Sequence, residues 1–214
     1  KLDEAVAQFQ KLETIEADPR EARTKIGLIY FEKGDFERAA SEFNLVLAAD
    51  PTNDRVRYYL GSTYAEMKAY ERAVEEFSRI AEKSDFYADA QIQLAYLYDR
   101  REEIGKAIEA VQAALKKRKE AREILALLAS LYRKAKNYPK AIETWQRAVV
   151  LDPKSDQAHF QLGALYDENK NKEKSIEHMK KAIELNPQNA AALNYLGYTW
   201  AEMGVQLDEA ENLI

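Results

Sequence analysis

One residue type returns at a fixed interval along the whole chain. Alanine, replaced once by serine, recurs with a period of 34, at Ala5, Ala39, Ala73, Ala107, Ala141 and Ser175. A fixed period of this length is the sequence signature of an array of two-helix units. Such an array has no single central core, because each unit buries its apolar side only against its neighbours. The period therefore predicts a stack of helical hairpins, and it favours an extended binding surface over an enclosed active site.

Other positions keep the same phase. An aromatic residue recurs at Tyr30, Tyr64, Tyr98, Tyr132, Tyr166 and Trp200. A small residue precedes each of them by three positions, at Gly27, Gly61, Ala95, Ala129, Gly163 and Gly197. A large side chain follows each alanine of the series by four positions, at Phe9, Phe43, Phe77, Val111, Trp145 and Met179. Small residues let two helices approach closely, and the large ones fill the space beside them.

Prolines mark the ends of these units. Pro19, Pro51, Pro153 and Pro187 each stand where a helix is expected to stop, because proline cannot continue a helix and restricts the residue before it. The fifth proline, Pro139, falls in the first turn of a predicted second helix, where its missing N–H does no harm.

Together these positions resemble the tetratricopeptide repeat, or TPR, whose pattern is Trp-x2-Leu-Gly-x2-Tyr, then Ala-x3-Phe, then Pro, although no repeat here carries the initial tryptophan. The segment Ile26-Gly27-x2-Tyr30, Ala39-x3-Phe43, Pro51 matches it, and the match returns in phase along the chain. The resemblance implies an all-α fold, an α-solenoid of hairpins that forms a right-handed superhelix. In this register a single array covers 1–214: a truncated repeat at 1–19, full repeats at 20–53, 54–87, 88–121, 122–155 and 156–189, and a partial repeat at 190–214.

Some repeats depart from the pattern. Repeats 54–87 and 88–121 lack the closing proline, and repeat 156–189 has Lys172 and Ser175 where an apolar residue and alanine are usual. We expect this last repeat to be the most loosely packed. Because both ends of the chain fall inside a repeat, we interpret the sequence as a fragment of a longer protein.

Composition narrows the classes of function. Lys plus Arg number 32 and Asp plus Glu number 37, a net charge of -5 that argues against a nucleic-acid partner. The chain has no cysteine, so it offers neither disulfides nor thiol chemistry. No apolar run is long enough for a membrane span, so we expect no membrane insertion. No glycine-rich phosphate loop or nucleophile motif is present, and we expect neither a cofactor nor enzymatic activity.

The first helix of each repeat has two distinct sides. At about 100° per residue, repeat positions 4, 7, 8 and 11 share the core-facing side, and positions 2, 5, 6, 9, 12 and 13 lie opposite. In TPR proteins the opposite side lines a concave groove that binds peptides. We call it the groove face, and its candidate binding residues are Tyr58, Tyr59, Ser62, Ile92, Gln93, Tyr96, Leu127, Phe160, Gln161, Asn194, Tyr195 and Tyr198.

The composition of the groove face suggests a ligand. Tyrosine gives a large contact area with a polar end and is enriched at interfaces, and Gln and Asn can meet the backbone amides of an extended peptide. The face carries nine acidic and five basic residues in this register, which favours a neutral to basic, partly apolar protein or peptide. Some of these aromatic residues have an equally simple structural explanation, namely contact with the neighbouring repeat.

Two other features of the sequence are candidate sites of chemistry. His159 lies at a core position and is expected to be a packed histidine, and His178 on the second helix is expected to be solvated; no metal-ligand spacing surrounds them. The run Lys116–Lys119 is expected to complement the dipole at a helix C-terminus.

We therefore expect a non-catalytic scaffold or adaptor that binds a protein segment. The alternatives are a docking arm of a larger enzyme and a self-associating assembly module, so the oligomeric state stays open. The segment from Leu193 to Ala210 is similar to the terminal repeats of bacterial TPR lipoproteins of the cell envelope. That similarity implies a periplasmic or outer-membrane location, with the cytoplasm as the alternative.

Overall fold

The structure is a computed structural model that describes residues 9, 19–119, 121–206 and 208. This part of the chain contains eleven α-helices and no β-strand. The helices are α1 (Arg20–Glu32), α2 (Phe36–Ala49), α3 (Asp54–Glu66), α4 (Tyr70–Ser78), α5 (Tyr87–Arg100), α6 (Ile104–Lys117), α7 (Arg122–Lys134), α8 (Tyr138–Leu151), α9 (Asp156–Glu168), α10 (Lys172–Leu185) and α11 (Ala190–Met203). The all-α fold predicted from the sequence is confirmed. The helix predicted within 1–19 lies outside the described residues, apart from Phe9 and Pro19.

The chain divides into two compact units, Lys1–Glu103 and Ile104–Ile214. In the first, α1 to α5 pack each against the next helix in the sequence. In the second, α6 to α11 do the same. Each unit is therefore a stack in which the main contacts join sequence neighbours, as the period predicts.

The turn inside each hairpin has one conformation, repeated once per period. One residue in every turn has a left-handed backbone, with φ between 57° and 76°: Gly34, Lys68, Glu102, Lys136, Lys170 and Gly204. The next residue's N–H donates to the carbonyl of the recurring aromatic residue, as Ala69 does to Tyr64 at 2.9 Å. This is the bond that closes a helix C-terminus in a Schellman motif. Glycine is usual at the left-handed position, yet four of the six residues here carry a side chain.

Side-chain caps fix where the helices begin. In six helices the residue before the first turn accepts a hydrogen bond from the N–H three residues on: Asp35, Asn53, Asn137, Ser155, Asn171 and Asn189. Such a cap stabilises a helix by about 1 kcal/mol relative to alanine. Pro139 lies in the first turn of α8, as predicted.

The predicted core positions are buried. The Leu or Ile series (Ile26 and its equivalents) and the Gly or Ala series (Gly27 and its equivalents) are buried throughout. The close approach that the small residues allow is direct, because a Cβ added to Gly61 would lie 2.8 Å from the Phe77 ring. Tyr98 is the exception in the aromatic series, since it is only partly buried whereas Tyr64 is 3% exposed.

The helix α4 ends early. It spans 9 residues, whereas α2, α6, α8 and α10 each span 14. Good helix formers follow Ser78, so local propensity does not explain the end. The chain turns instead, buries Ile80 at 3% exposure, and brings the Phe86 ring against Tyr58 and Tyr59. Packing therefore overrides propensity at this point, in a repeat that also lacks the closing proline.

The two residues of repeat 156–189 that depart from the repeat pattern, Ser175 and Lys172, have different environments. Ser175 is fully buried, and its hydroxyl has no hydrogen-bond partner among the described residues. Lys172 bonds to Asp167 at 2.8 Å and to Glu202 at 3.2 Å, so an ion-pair network takes the place of apolar contact. The unsatisfied hydroxyl is a local defect, and the close contact between α9 and α10 does not support the expectation that this repeat is the most loosely packed.

Candidate functional site

In the first unit, α3 presents its groove-face tyrosines to other aromatic rings. The Tyr58 ring lies 5.5 Å from both Phe77 and Phe86, measured between ring centroids, and Tyr59 lies 5.9 Å from Phe43 and 6.2 Å from Phe86. Both tyrosines are half-buried. Aromatic contacts of this kind stabilise the fold, so a good part of each ring serves packing within the hairpins.

The groove face of α5 is more open. Ile92 and Gln93 are half-buried, whereas the Tyr96 side chain is 53% exposed. Ser62, at the same repeat position in α3, donates its hydroxyl to the Tyr58 carbonyl at 3.0 Å. Of these residues, Tyr96 presents the largest free apolar surface.

In the second unit, the candidate aromatic residues are also partly occupied. The rings of Phe160 on α9 and Tyr195 on α11 meet edge to face at 6.3 Å, and both pack against the cluster that contains Met179 and Trp200. Leu127 and Gln161 are half-buried. These side chains therefore contribute to the contacts between successive hairpins as well as to the face.

Tyr195 is further held by a charged network. Its hydroxyl donates to the Asp167 carboxylate, which also binds Lys172. Burial, with the hydrogen bond to Asp167, raises the pKa of Tyr195. Burial alone would raise the pKa of Asp167, but the bonds from Lys172 and Tyr195 lower it overall, so the carboxylate stays ionised near neutral pH.

Asn194 and Tyr198 on α11 point into solvent. The Tyr198 side chain is 59% exposed, and Asn194 is exposed as well. A cleft of about 270 Å³ opens beside Tyr198, bounded also by Asp167, Lys172 and Glu202. A tyrosine at the edge of a charged cleft can bind an apolar side chain and a neighbouring polar group together.

Ion pairs reduce the number of free charges on the groove face. Glu21 binds Arg55 at 2.5 Å, and Glu168 accepts from Arg133 at 2.8 Å. Glu32 and Glu66 are exposed and have no ion-pair partner among the described residues. Counting paired and unpaired groups together, the groove face of the first unit carries five acidic residues against three basic ones.

The first helices are also buried at positions outside the predicted core set of 4, 7, 8 and 11. Repeat position 3 is buried in every described repeat, at Ala22, Val56, Ala90, Ile124, Ala158 and Ala192. Position 10 is buried in five of them, at Thr63, Leu97, Leu131, Leu165 and Thr199. The signal was present as small and apolar residues that recur at the same period. The packed sector of each first helix is therefore wider than positions 4, 7, 8 and 11 alone, and it extends to the edge of the groove face.

The two histidines meet, contrary to the expectation that His178 is solvated. His159 and His178 approach at 3.0 Å between their Nδ1 atoms, and the His178 ring stacks on Tyr166. Burial, and then the nearby His159, lower the pKa of His178. His159 is 8% exposed, which confirms the predicted packed position. Across the described residues, no group of three or more His, Asp or Glu side chains could hold a metal ion.

The histidine pair replaces an ion pair found at the same repeat positions elsewhere. In earlier hairpins the two helices are joined there by Arg23 with Glu42 at 3.0 Å and by Arg57 with Glu76 at 2.8 Å. His159 and His178 have the same sequence separation as these pairs. The pair therefore links the two helices of its hairpin, and its structural role explains its position.

No helix in the described ranges combines the length and the apolar character that crossing a membrane requires. The Lys116–Lys119 run follows the expected placement, since α6 ends at Lys117. The terminal segment that is similar to bacterial lipoproteins is described only as far as Gln206, together with Asp208. Its remaining residues, including Leu207 and Ala210, lie outside the described part.

The sequence matches known repeat models along most of its length. Models of the tetratricopeptide repeat match residues 1–54, 30–95 and 156–189, and a model of the TPR repeat matches residues 129–170. No curated protein matches the chain.

Solved structures with the same fold are numerous. A crystal structure of MamA protein is 25% identical, covering 80% of this chain and 93% of that one, with a TM-score of 0.70. The C-terminal part of a TPR repeat-containing protein from Cytophaga hutchinsonii is 15% identical, covering 99% of this chain and 87% of that one, with a TM-score of 0.86. YrrB, a TPR protein with an unusual peptide-binding site, is 19% identical, covering 87% of this chain and 96% of that one, with a TM-score of 0.69.

The matched models together span most of the described helices, and the repeated hairpin, its turn and its buried positions are those of the matched family. This chain is a member of the tetratricopeptide repeat family.

Proposed function

We propose that this protein is a non-catalytic scaffold that binds a partner polypeptide along its groove face. TPR proteins are in general modules for protein–protein interaction, and the fold supports that coarse assignment. The finer assignment, to a groove that holds a peptide or protein segment, is our own proposal. It is supported by YrrB, a protein of this fold that has an unusual peptide-binding site.

The observation that carries the proposal is the exposure of two tyrosines at one repeat position. Tyr96 and Tyr198 are separated by three full periods of the repeat, and both are more than half exposed, at 53% and 59%. Tyrosine recurs among interface residues that contribute most of the binding energy, because its ring covers a large area at low entropic cost. The other groove-face tyrosines are more strongly engaged in packing. We therefore assign the main anchoring role to Tyr96 on the first unit and to Tyr198 on the second.

Charge indicates the kind of partner. The groove face of the first unit carries five acidic residues and three basic ones, and this excess of acidic residues favours a negative potential. The exposed rings add apolar contact. A segment that combines basic and apolar residues fits both properties, and its binding should weaken as the salt concentration rises.

A displayed library of random peptides provides the test. Peptides selected on the wild-type protein are expected to be enriched in basic and apolar residues. Their affinity is then measured by fluorescence anisotropy on the double variant Tyr96→Ala/Tyr198→Ala. Since truncation of an anchoring tyrosine costs more than about 1 kcal/mol, the dissociation constant should rise about tenfold or more.

A matched control uses exposed apolar residues on second helices. Leu45 on α2 is 49% exposed and Val150 on α8 is 78% exposed, one in each unit. The variant Leu45→Ala/Val150→Ala should bind the selected peptides as the wild type does. If this control loses affinity while the tyrosine variant keeps it, the groove-face assignment is wrong.

A further inference from the structure

The second unit has a basic cleft on a different side from the groove face. It has a volume of about 560 Å³ and lies between the second helices α6 and α8, with side chains of α7 at its base. Lys116 and Lys119 stand at the end of α6, and Lys140 and Arg147 stand on α8. Glu143 is the one carboxylate among the described residues that line it.

These cations are not neutralised within the described chain. Lys116, Lys119 and Arg147 are exposed, and none of them forms an ion pair with a residue that the structure describes. The Lys140 ammonium lies 5.5 Å from the centroid of the Tyr132 ring, which is a cation–π contact and leaves its charge in place. Four cations facing one carboxylate give the cleft a positive potential in a chain of net charge -5.

In the first unit, the arginine at the position equivalent to Arg147 is neutralised by ion pairs. Arg79 stands two periods before Arg147, and it binds Glu75 at 2.6 Å and Glu76 at 3.4 Å. In the second unit the equivalent of Glu75 is Glu143, but the equivalent of Glu76 is Thr144. Arg147 has no counterpart of Glu76, and it forms no ion pair with Glu143 or with any other residue that the structure describes.

The cleft one repeat further on is also balanced. It has a volume of about 440 Å³ and is lined by two lysines and two glutamates together with the histidine pair. Lys181, the equivalent of Arg147, binds Glu184 at 2.9 Å. The position equivalent to Lys116 is Val150, so one of the cations is absent there. The excess of positive charge is therefore specific to the cleft between α6 and α8 and is not a general property of the second helices.

We propose that this cleft binds an acidic polypeptide segment. Aspartate and glutamate side chains complement Lys116, Lys119 and Arg147, and the Gln112 side chain is a further polar group in the wall. Leu115 also lines the cleft, and its half-buried side chain offers apolar contact that a free phosphate ion could not use. The occupant is thus a segment in which acidic residues alternate with apolar ones. The cleft is lined by second helices, so this site would be distinct from the groove face and opposite to it in charge preference.

The test uses two short fluorescent peptides of the same length. One alternates glutamate with leucine, and the other has lysine in place of every glutamate. Fluorescence anisotropy is expected to show binding of the acidic peptide to the wild-type protein, weakened by added salt. The variant Lys116→Glu/Arg147→Glu should raise its dissociation constant about tenfold or more, because it places like charges against the ligand.

The control carries the same change in net charge at other sites. Lys83 and Lys154 are exposed, one in each unit, and neither lines the cleft. Lys83→Glu/Lys154→Glu should change the affinity less than about twofold, since long-range charge alone is screened. Equal losses in both variants would show that net charge, and not the cleft, attracts the peptide, and would overturn the proposal.

Two further readouts keep the test decisive. Competition with inorganic phosphate should leave most of the acidic peptide bound; full displacement at similar concentration would mean a small-anion site and would refute the polypeptide assignment. If circular dichroism shows that the charge-reversed variant is unfolded, Lys116→Gln/Arg147→Gln takes its place, and it too must weaken binding. Unchanged affinity in a folded glutamine variant would also overturn the proposal.

Discussion

The hydroxyl of Ser175 gives a stability prediction whose sign can be worked out from the structure. Ser175 is the one departure in a series whose other described members, Ala39, Ala73, Ala107 and Ala141, are each 0% exposed. Its Oγ atom is buried, and no described residue bonds to it. A buried polar group without a partner costs about 1–3 kcal/mol of stability. We expect Ser175→Ala to stabilise the protein by that amount, because it removes the hydroxyl and leaves the methylene in contact.

The size of the effect has two contributions. The first is the desolvation cost of the hydroxyl, and the second is the helix propensity of alanine, which exceeds that of serine by about 0.5 kcal/mol. Little is lost in packing, since Ser175 lies where α9 and α10 are already close: a Cβ added to Gly163 would lie 3.1 Å from the Ser175 carbonyl oxygen. The space vacated by one oxygen atom is therefore small.

The assay is urea unfolding followed by circular dichroism, together with amide hydrogen exchange in α9 and α10. Exchange is needed because a repeat array need not unfold in one step, so a local gain can be hidden in the global curve. The reverse change, Ala141→Ser, places the same hydroxyl at the equivalent site one period earlier and should destabilise by a similar amount. If Ser175→Ala leaves exchange in α10 unchanged or faster, the hydroxyl has a partner outside the described contacts, and its assignment as unsatisfied is wrong.

Three further perturbations test other described contacts. Burial and the neighbouring His159 lower the pKa of His178 in the folded state, so the unfolded chain binds more protons as the pH falls through about 6.5, and the free energy of unfolding should decrease. Urea titrations at several pH values check this prediction. The variant His178→Gln should remove this dependence of the free energy of unfolding on pH. Tyr64→Ala should destabilise the protein by about 3–5 kcal/mol, as for other buried aromatic residues. Tyr98→Ala should lower the stability clearly less, because Tyr98 is partly exposed. Equal losses of stability in thermal unfolding would contradict the burial argument. Phe86→Ala should lower the unfolding midpoint of the first unit by removing ring contacts, while near-ultraviolet circular dichroism reports the altered tyrosine environment.

The period was enough to predict most of the core. The buried series that begins with Ile26 and Gly27, and the small residues where helices approach, follow from spacing alone, because each repeat solves the same packing problem. Spacing could not show that Tyr98 is partly exposed, because the burial of a residue depends on the side chains that pack around it, and the repeat position does not specify these. The predicted core side of the first helix is also too narrow, because it leaves out positions 3 and 10, with Val56 and Thr63.

Other features depend on three-dimensional contact and carry no local signal. The left-handed turn residues include Lys68 and Glu102, which local preference would not place there, so the helix packing imposes the turn. The early end of α4 depends on Phe86 finding two tyrosines on α3. The contact between His159 and His178 joins two helices of a hairpin, and it becomes readable from the sequence only after Arg57 and Glu76 are seen to pair in the same way.

At the candidate site, the sequence predicts a face but does not distinguish its exposed residues from its packed ones. Tyr58 and Tyr195 are as prominent in the sequence as Tyr96 and Tyr198. Only the structure shows that the first two are engaged by Phe77 and Asp167 respectively. Exposure depends on what the preceding and following hairpins supply, and helix periodicity does not contain that information.

The main helix contacts within each unit join helices that are one or two apart in the sequence, and this has a consequence for how the protein can change over time. Within a unit, a substitution in one helix is felt mainly by the helices one or two places before and after it. A lineage can therefore alter the residues that recognise one partner while the rest of the stack keeps its contacts. The binding specificity can therefore change through substitutions in one hairpin at a time, and each such change leaves the rest of the fold stable.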